Sequence, residues 1–277
     1  MKKAVILLVF VLTARAGFAQ TDASISDAAV QQTPSAPVKK ERNHFFYFTW
    51  GYNAESYTRS NVHVSQPSLG REYTLHQVEG RDHRGWDEGI FHQELTIPQY
   101  SYRIGCMLDK KRGWGVEINF DHTKYIIAEG QQARLTGNLG DGRATDTSFT
   151  YSHANGFYYY LNNGANFFLI NVVKQFSVWE SKRQHLRFDV LAKAGVGPVV
   201  PHVENAFFGK DNDPHFQIGG WNTGLEVDAQ VTAFKHVFLE YGMKVDYARY
   251  SNLRIYEGTA RQSFGSFIMY LGLGVKI

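Results

Sequence analysis

Two small groups of polar residues have the makings of an acyl hydrolase. Asp121, His122 and Thr123 form one, and Ser152 with His153 forms the other. Acyl transfer needs a nucleophile, a base that takes its proton and a carboxylate that orients the base. Ser152 would attack, His122 or His153 would be the base, and Asp121 or Glu129 would hold the imidazole. Ser152 and His153 are adjacent, so on a regular strand they point to opposite faces, which weakens that pair. The plainer reading, ordinary rim and connecting residues, is preferred, and no catalytic residue is assigned outright.

Metal-ligating types are scattered. His63, His76, His83, His92, His202 and His215 fall between apolar segments. Asp82, His83, Asp87 and His92 could gather round a metal, and Asp211 with Asp213 could hold calcium weakly. No spacing matches a recognised metal motif, so neither metal nor cofactor is expected. The single cysteine, Cys106, excludes an intramolecular disulfide. It lies in phase with Tyr102 and Ile104 and reads as a small apolar residue rather than a nucleophile. Gly195, Val196 and Gly197 do not open a helix and are not a nucleotide loop. A net charge of +3 is too small to imply nucleic acid.

The elements that would position these groups are strands. At the C-terminus Phe267, Met269, Leu271, Leu273, Val275 and Ile277 occupy every second position, with Tyr270, Gly272, Gly274 and Lys276 between them. Side chains alternate faces along a strand, so one face is apolar and the other small or polar. The pattern recurs over 43–53, 96–108, 114–127, within 156–178, and over 185–197, 216–233 and 237–249. Too few helices accompany these segments to cover so many apolar faces. Lipid covers them if the strands close into a transmembrane barrel with a polar interior. The expected fold is therefore all-β: a closed antiparallel up-and-down barrel of about eight strands. Ten are possible if 71–78 and its neighbours form an extra hairpin.

The N-terminus fits export. Lys2 and Lys3 precede a short apolar run over 4–12, and Ala14, Ala16, Gly17 and Ala19 follow. Residues 1–19 read as a signal peptide cut after Ala19, residues 20–42 as a disordered periplasmic leader, and residues 43–277 as the barrel. Aromatics are 15% of the chain, in keeping with the girdles a barrel places at both interfaces. The mean hydropathy of −0.33 argues against a helical membrane protein, but a barrel strand gives half its residues to a polar lumen.

The connections alternate in length. Those over 54–95, 128–155, 198–215 and 250–263 are long, and those between them are short. Short periplasmic turns and long extracellular loops are the expected asymmetry. The inward rows carry Arg103, Arg187, Lys193 and Lys244 against Glu117, Asp121, Asp189, Glu226, Asp228, Glu240 and Asp246. An eight-stranded barrel is only wide enough for its own side chains, so these charges should pair into a plug. The first long connection carries Tyr57, Tyr73, Trp86 and Phe91 among charges, a composition suited to recognising an extracellular partner.

The whole chain beyond the signal resembles small outer-membrane barrels of the OmpA-transmembrane, OmpX and OmpW type. The signal's ending at Phe18, Ala19 and Gln20 is similar to that of Bacteroidetes secreted proteins. Segments 48–53, 97–105 and 120–125 are similar to an uncharacterised family of bacterial outer-membrane barrels. This resemblance implies the bacterial outer membrane, with its lipids and lipopolysaccharide as partners and the barrel-assembly machinery reading the C-terminal strand. It implies no reaction. No OmpA-like peptidoglycan-binding domain is expected after the last strand, and the His-x-Ser pattern of lipid A deacylases is reversed at Ser152 and His153. The expected role is structural or surface-interacting. The alternatives are an outer-leaflet lipid A-modifying hydrolase and a narrow transporter of a small apolar ligand.

Overall fold

The computed structural model describes residues 43–86, 94, 98–161, 163–183 and 185–277. The expected signal peptide and leader lie outside these residues, as do Asp87, Phe91 and His92. The described chain is almost entirely strand, as its β-branched and aromatic alternation favours. β1 (Phe45–Tyr57) is followed by β2 (Ser60–Gln66), a 3-10 turn at Pro67–Leu69, β3 (Arg71–Val78) and β4 (Gly80–Arg81). Then come β5 (Tyr100–Asp109), β6 (Trp114–Asp121), β7 (Tyr125–Ile127), β8 (Gln132–Leu139), β9 (Ala144–Thr150) and β10 (Tyr158–Leu161). β11 (Phe167–Glu180), β12 (Leu186–Val199), β13 (His202–Phe207), β14 (Lys210–Asp211) and β15 (His215–Phe216) precede three long strands. These are β16 (Gly220–Ala233), β17 (Val237–Ile255) and β18 (Gly258–Lys276).

Every pairing is antiparallel. β1, β5, β6, β11, β12, β16, β17 and β18 are hydrogen-bonded in that order, and β18 pairs in turn with β1 from Tyr47↔Lys276 to Tyr57↔Ser266. The ladder thus returns to its first strand. Short connections join β5 to β6, β11 to β12 and β16 to β17 at one end of this ring.

The long connections are folded rather than bare. Once β1 ends, the same edge of β18 pairs with β2 from Thr259↔Ser65 to Gln262↔Val62. β3, β8 and β9 extend that sheet outward. A second sheet runs in the order β14-β13-β10-β7-β4, with β15 on β13. The described residues therefore form eighteen strands where the periodicity predicts about eight. The physical reason is that each long connection carries its own alternation, with Val62 and Val64, Tyr73 and Leu75, and Ala133 and Leu135 buried on one face. The possible extra hairpin over 71–78 is β3, paired with β2. The segment expected as one strand over 114–127 breaks after Asp121, and its remainder joins the second sheet as β7.

Along the ring, burial is inverted relative to a water-soluble protein. The apolar row of β17 faces outward, with Leu239, Tyr241, Met243, Val245 and Tyr247 exposed. Glu240, Lys244 and Asp246 on the opposite row are buried. The same holds elsewhere: Leu225 is 63% and Leu273 61% exposed, whereas Glu226 and Asp228 are inside.

Candidate functional site

The ring's interior is a stack of ion pairs, each group placed there by the parity of its strand. Nearest the short turns, Arg187 Nε lies 2.8 Å from Asp189 Oδ1, and Lys276 Nζ 3.9 Å from Asp189 Oδ2. In the middle, Lys193 Nζ sits among four carboxylates. It is 2.8 Å from Asp228, 2.9 Å from Glu117, 3.3 Å from Glu240 and 3.5 Å from Glu226. Arg103 Nη2 donates to Glu226 Oε1 at 2.8 Å, and its guanidinium lies 3.5 Å from the centre of the Tyr270 ring. Toward the long connections, Lys244 pairs with Asp121, which also accepts from Ser101 Oγ at 2.6 Å. Asp246 accepts from Asn222 Nδ2 at 3.2 Å.

Neutral groups complete this network. Tyr47 OH donates to Glu117 at 2.8 Å, Asn171 Nδ2 to the same carboxylate at 3.1 Å, and Gln230 Nε2 to Glu240 at 2.7 Å. None of these three, nor Tyr270 or Lys276, belongs to the charged set singled out from sequence. All share the inward parity, so the phase that selects the charges selects them too. A buried charge is tolerated when paired and hydrogen-bonded, and such groups meet part of that need, while Arg103 Nη1, Glu226 Oε2 and Asp246 Oδ1 are buried without a hydrogen bond. Oxygens of Glu226, Asp228 and Glu240 lie close enough together to hold a metal ion. Lys193 already supplies the positive charge to all three.

Beyond the last ion pair the interior turns aromatic. Phe264 stacks on Tyr125 at 4.6 Å and on Tyr250 at 5.4 Å. Tyr57 meets Phe264 edge-on at 5.3 Å, and Tyr250 OH donates to Ala165 O at 2.9 Å. Tyr125 OH accepts from Gln262 Nε2 at 2.8 Å, and burial pushes its phenol up to about 12. Val62, Leu75, Leu135, Tyr159 and Phe207 continue this core through the folded connections. An apolar cap therefore sits against the long-connection end of the ring.

Among the described residues the hydrolase candidates form no hydrogen-bonded nucleophile–base–acid chain. Asp121 is held by Lys244, Ser101 and Asn119. His122 Nδ1 meets Asn166 Oδ1 at 2.8 Å, and its ring stacks on Tyr100 at 4.9 Å. Ser152 and Phe157 form an isolated backbone bridge. His153 stacks on Tyr158 at 4.2 Å, and its backbone N–H donates to Glu129 at 3.0 Å. Among the described residues no hydrogen bond joins Ser152 Oγ to His122 or His153. Of the aromatic recognition residues, Tyr73 is 2% exposed and packs against Phe207 and Phe208. That placement takes Tyr73 out of any recognition surface, because its alternation with Leu75 puts it in the cap's core. Tyr57 is half-buried, its OH on Lys124 O at 2.8 Å. Trp86 is half-buried and meets Tyr52 edge-on at 4.6 Å. Phe91 lies outside the described residues.

No family model and no curated protein matches the sequence. Among solved structures, the crystal structure of Neisserial surface protein A (NspA) is similar, with a TM-score of 0.29 and 11% identity over 85% of this chain and 97% of that one. A likeness at that level carries no argument about this chain.

Proposed function

We propose that this chain is an outer-membrane β-barrel protein with a structural or surface-interaction role. The eight-strand ring spans the bilayer, its lumen is plugged by paired charges, and the cap stands outside. The observation that carries the reading is the inversion of burial. A soluble protein exposes few large contiguous apolar patches. Here Phe48, Ile118, Ile170, Leu225, Met243 and Leu271, on six different strands of the ring, all point outward. Immersing such side chains in hydrocarbon rather than water is worth about 1.5–3 kcal/mol for each large one.

The polarity of the alternation also changes at a definite level. On β17 the outward row is apolar from Val237 to Tyr247, then continues as Arg249 and Ser251. Beyond that level it is the inward residues, Ala248 and Tyr250, that are apolar and buried. β18 does the same: Phe267 to Val275 face outward, whereas Ala260 and Phe264 are buried inside. A single ladder changes polarity when the medium outside it changes from lipid to water. The apolar stretch 237–247 matches the roughly 9–11 residues of a spanning strand.

In this reading residues 1–19 direct export, residues 20–42 lie in the periplasm and the assembly machinery reads the C-terminal strand. Outer-membrane lipids surround the ring. The surface of the cap, with Trp86 partly exposed, is the face offered to an extracellular partner. Reconstitution into lipid vesicles tests it. The folded protein should insert, run at a heat-modifiable position on a gel and leave a planar bilayer electrically silent. Recovery as a detergent-free soluble monomer would overturn the membrane reading, and steady single-channel conductance would overturn the plug.

A further inference from the structure

The outward face just beyond the polarity change is basic and concave. Arg249 lies two residues past Tyr247, about 7 Å further along the strand. It pairs across the ladder with Trp221, whose ring is 5.8 Å from that of Tyr247. Arg261 is exposed on β18 and stands opposite His63 of β2. His63 in turn stands opposite Thr74 of β3, and Thr74 opposite Thr136 of β8. One row of polar side chains thus crosses four strands, with His63 Nδ1 2.8 Å from Thr74 Oγ1 and Thr136 Oγ1 2.7 Å from His76 Nε2.

Two adjoining hollows occupy this face. One, of about 470 Å³, is lined by Arg59, His63, Tyr247, Arg249 and Arg261 among polar residues, with no carboxylate in its lining. The other, of about 500 Å³, shares His63, Arg249 and Arg261 and adds Thr74, Thr136 and one acid, Glu72. Arg59 pairs with Glu79, but among the described residues Arg249 and Arg261 have no ion-pair partner. Two bare guanidiniums side by side repel each other, and an arginine fork matches a phosphate bidentately.

We propose that this face binds the phosphorylated headgroup of a lipid in the membrane's outer leaflet. The inference rests on the membrane reading above and assigns that reading a specific lipid contact. Two features select the occupant. Arg249 and Arg261, without an ion-pair partner among the described residues and with Glu72 the one acid lining the two hollows, call for an anion. Its continuity with the apolar row through Tyr247 and Trp221 calls for an anion anchored to acyl chains, at the depth where headgroups lie. Arg249 and Arg261 would grip the phosphate, while His63, Thr74 and Thr136 would meet sugar or phosphate oxygens beside it.

Native mass spectrometry of the full chain folded in neutral micelles tests this. The probes are bisphosphorylated lipid A, the same lipid stripped of both phosphates, and inorganic phosphate. The wild type should retain the phosphorylated lipid at least about tenfold more tightly than the stripped one, the scale of a charge-assisted contact. The double variant Arg249→Gln with Arg261→Gln should lose that preference. Equal retention of the stripped lipid, an unaltered double variant, or binding of inorganic phosphate as tight as that of the lipid would each overturn the proposal. The stripped-lipid comparison needs no variant, so a misfolded double variant leaves the test intact. Failure of the wild type to insert into micelles sinks the membrane reading and this site with it. Insertion without phosphate preference sinks the site alone.

Discussion

At the scale of single residues, Lys193 is the pivot of the interior. Four carboxylates lie within 3.5 Å of its ammonium. Taking that charge away leaves Glu117, Glu226, Asp228 and Glu240 facing one another with Arg103 as the main remaining counter-charge. Lys193→Met should therefore cost on the order of 3–5 kcal/mol, the cost of breaking a buried pair from one side. Adding Asp228→Asn should recover part of it. Urea unfolding of the folded protein in micelles reads both; a single variant as stable as wild type would show that water, not Lys193, compensates these carboxylates. Outside the ring, His63 offers a second check. Burial lowers its pKa below the ordinary value, and the positive charge of Arg261 lowers it further. Arg261→Gln should move the His63 titration upward in an NMR experiment, and an unmoved titration would mean the two side chains do not share one field.

At the scale of elements, the seam between β1 and β18 determines whether the ring closes. Gly51 faces Gly272 across it, and a Cβ on Gly51 would come 2.1 Å from Leu271 O and 2.4 Å from Gly272 Cα. Those neighbours are backbone and cannot step aside. Gly51→Val should strongly reduce the yield of the heat-modifiable folded form, and a wild-type yield would contradict the seam's geometry. The strands of the ring are legible in sequence because one parity, apolar outward and charged inward, holds across the ring in β17 and β18. The outer ends of those same strands are not legible as strands when apolar is equated with outward. Past Tyr247 and before Ser266 the period of two persists, but the apolar residues move from the outward row to the inward one. The expectation of a loop over 250–263 fails there for that reason. The cap was hidden likewise: β2, β3 and β8 bury apolar residues against one another and against β18, partners far away in sequence. Parity alone assigns the charged residues to the inward row. The grouping of Ser152 with His122 was not supported by geometry, because proximity of strand ends says nothing of side-chain direction.

At the scale of the whole molecule, the proposed function puts one continuous sheet in two media. The ring turns ions inward and apolar side chains outward; the cap turns apolar side chains inward and leaves Arg249, Arg261 and their polar neighbours outside. Hydrocarbon bathing the ring's outer row is the central requirement of the proposed function. Nitroxide labels measure that directly, placed one at a time at Val227→Cys, Met243→Cys, Leu271→Cys and Arg261→Cys in a Cys106→Ser background in lipid vesicles. The first three should collide with dissolved oxygen far more than with a water-soluble nickel chelate, and the fourth should show the reverse. Free access of the chelate to all four positions would contradict the account.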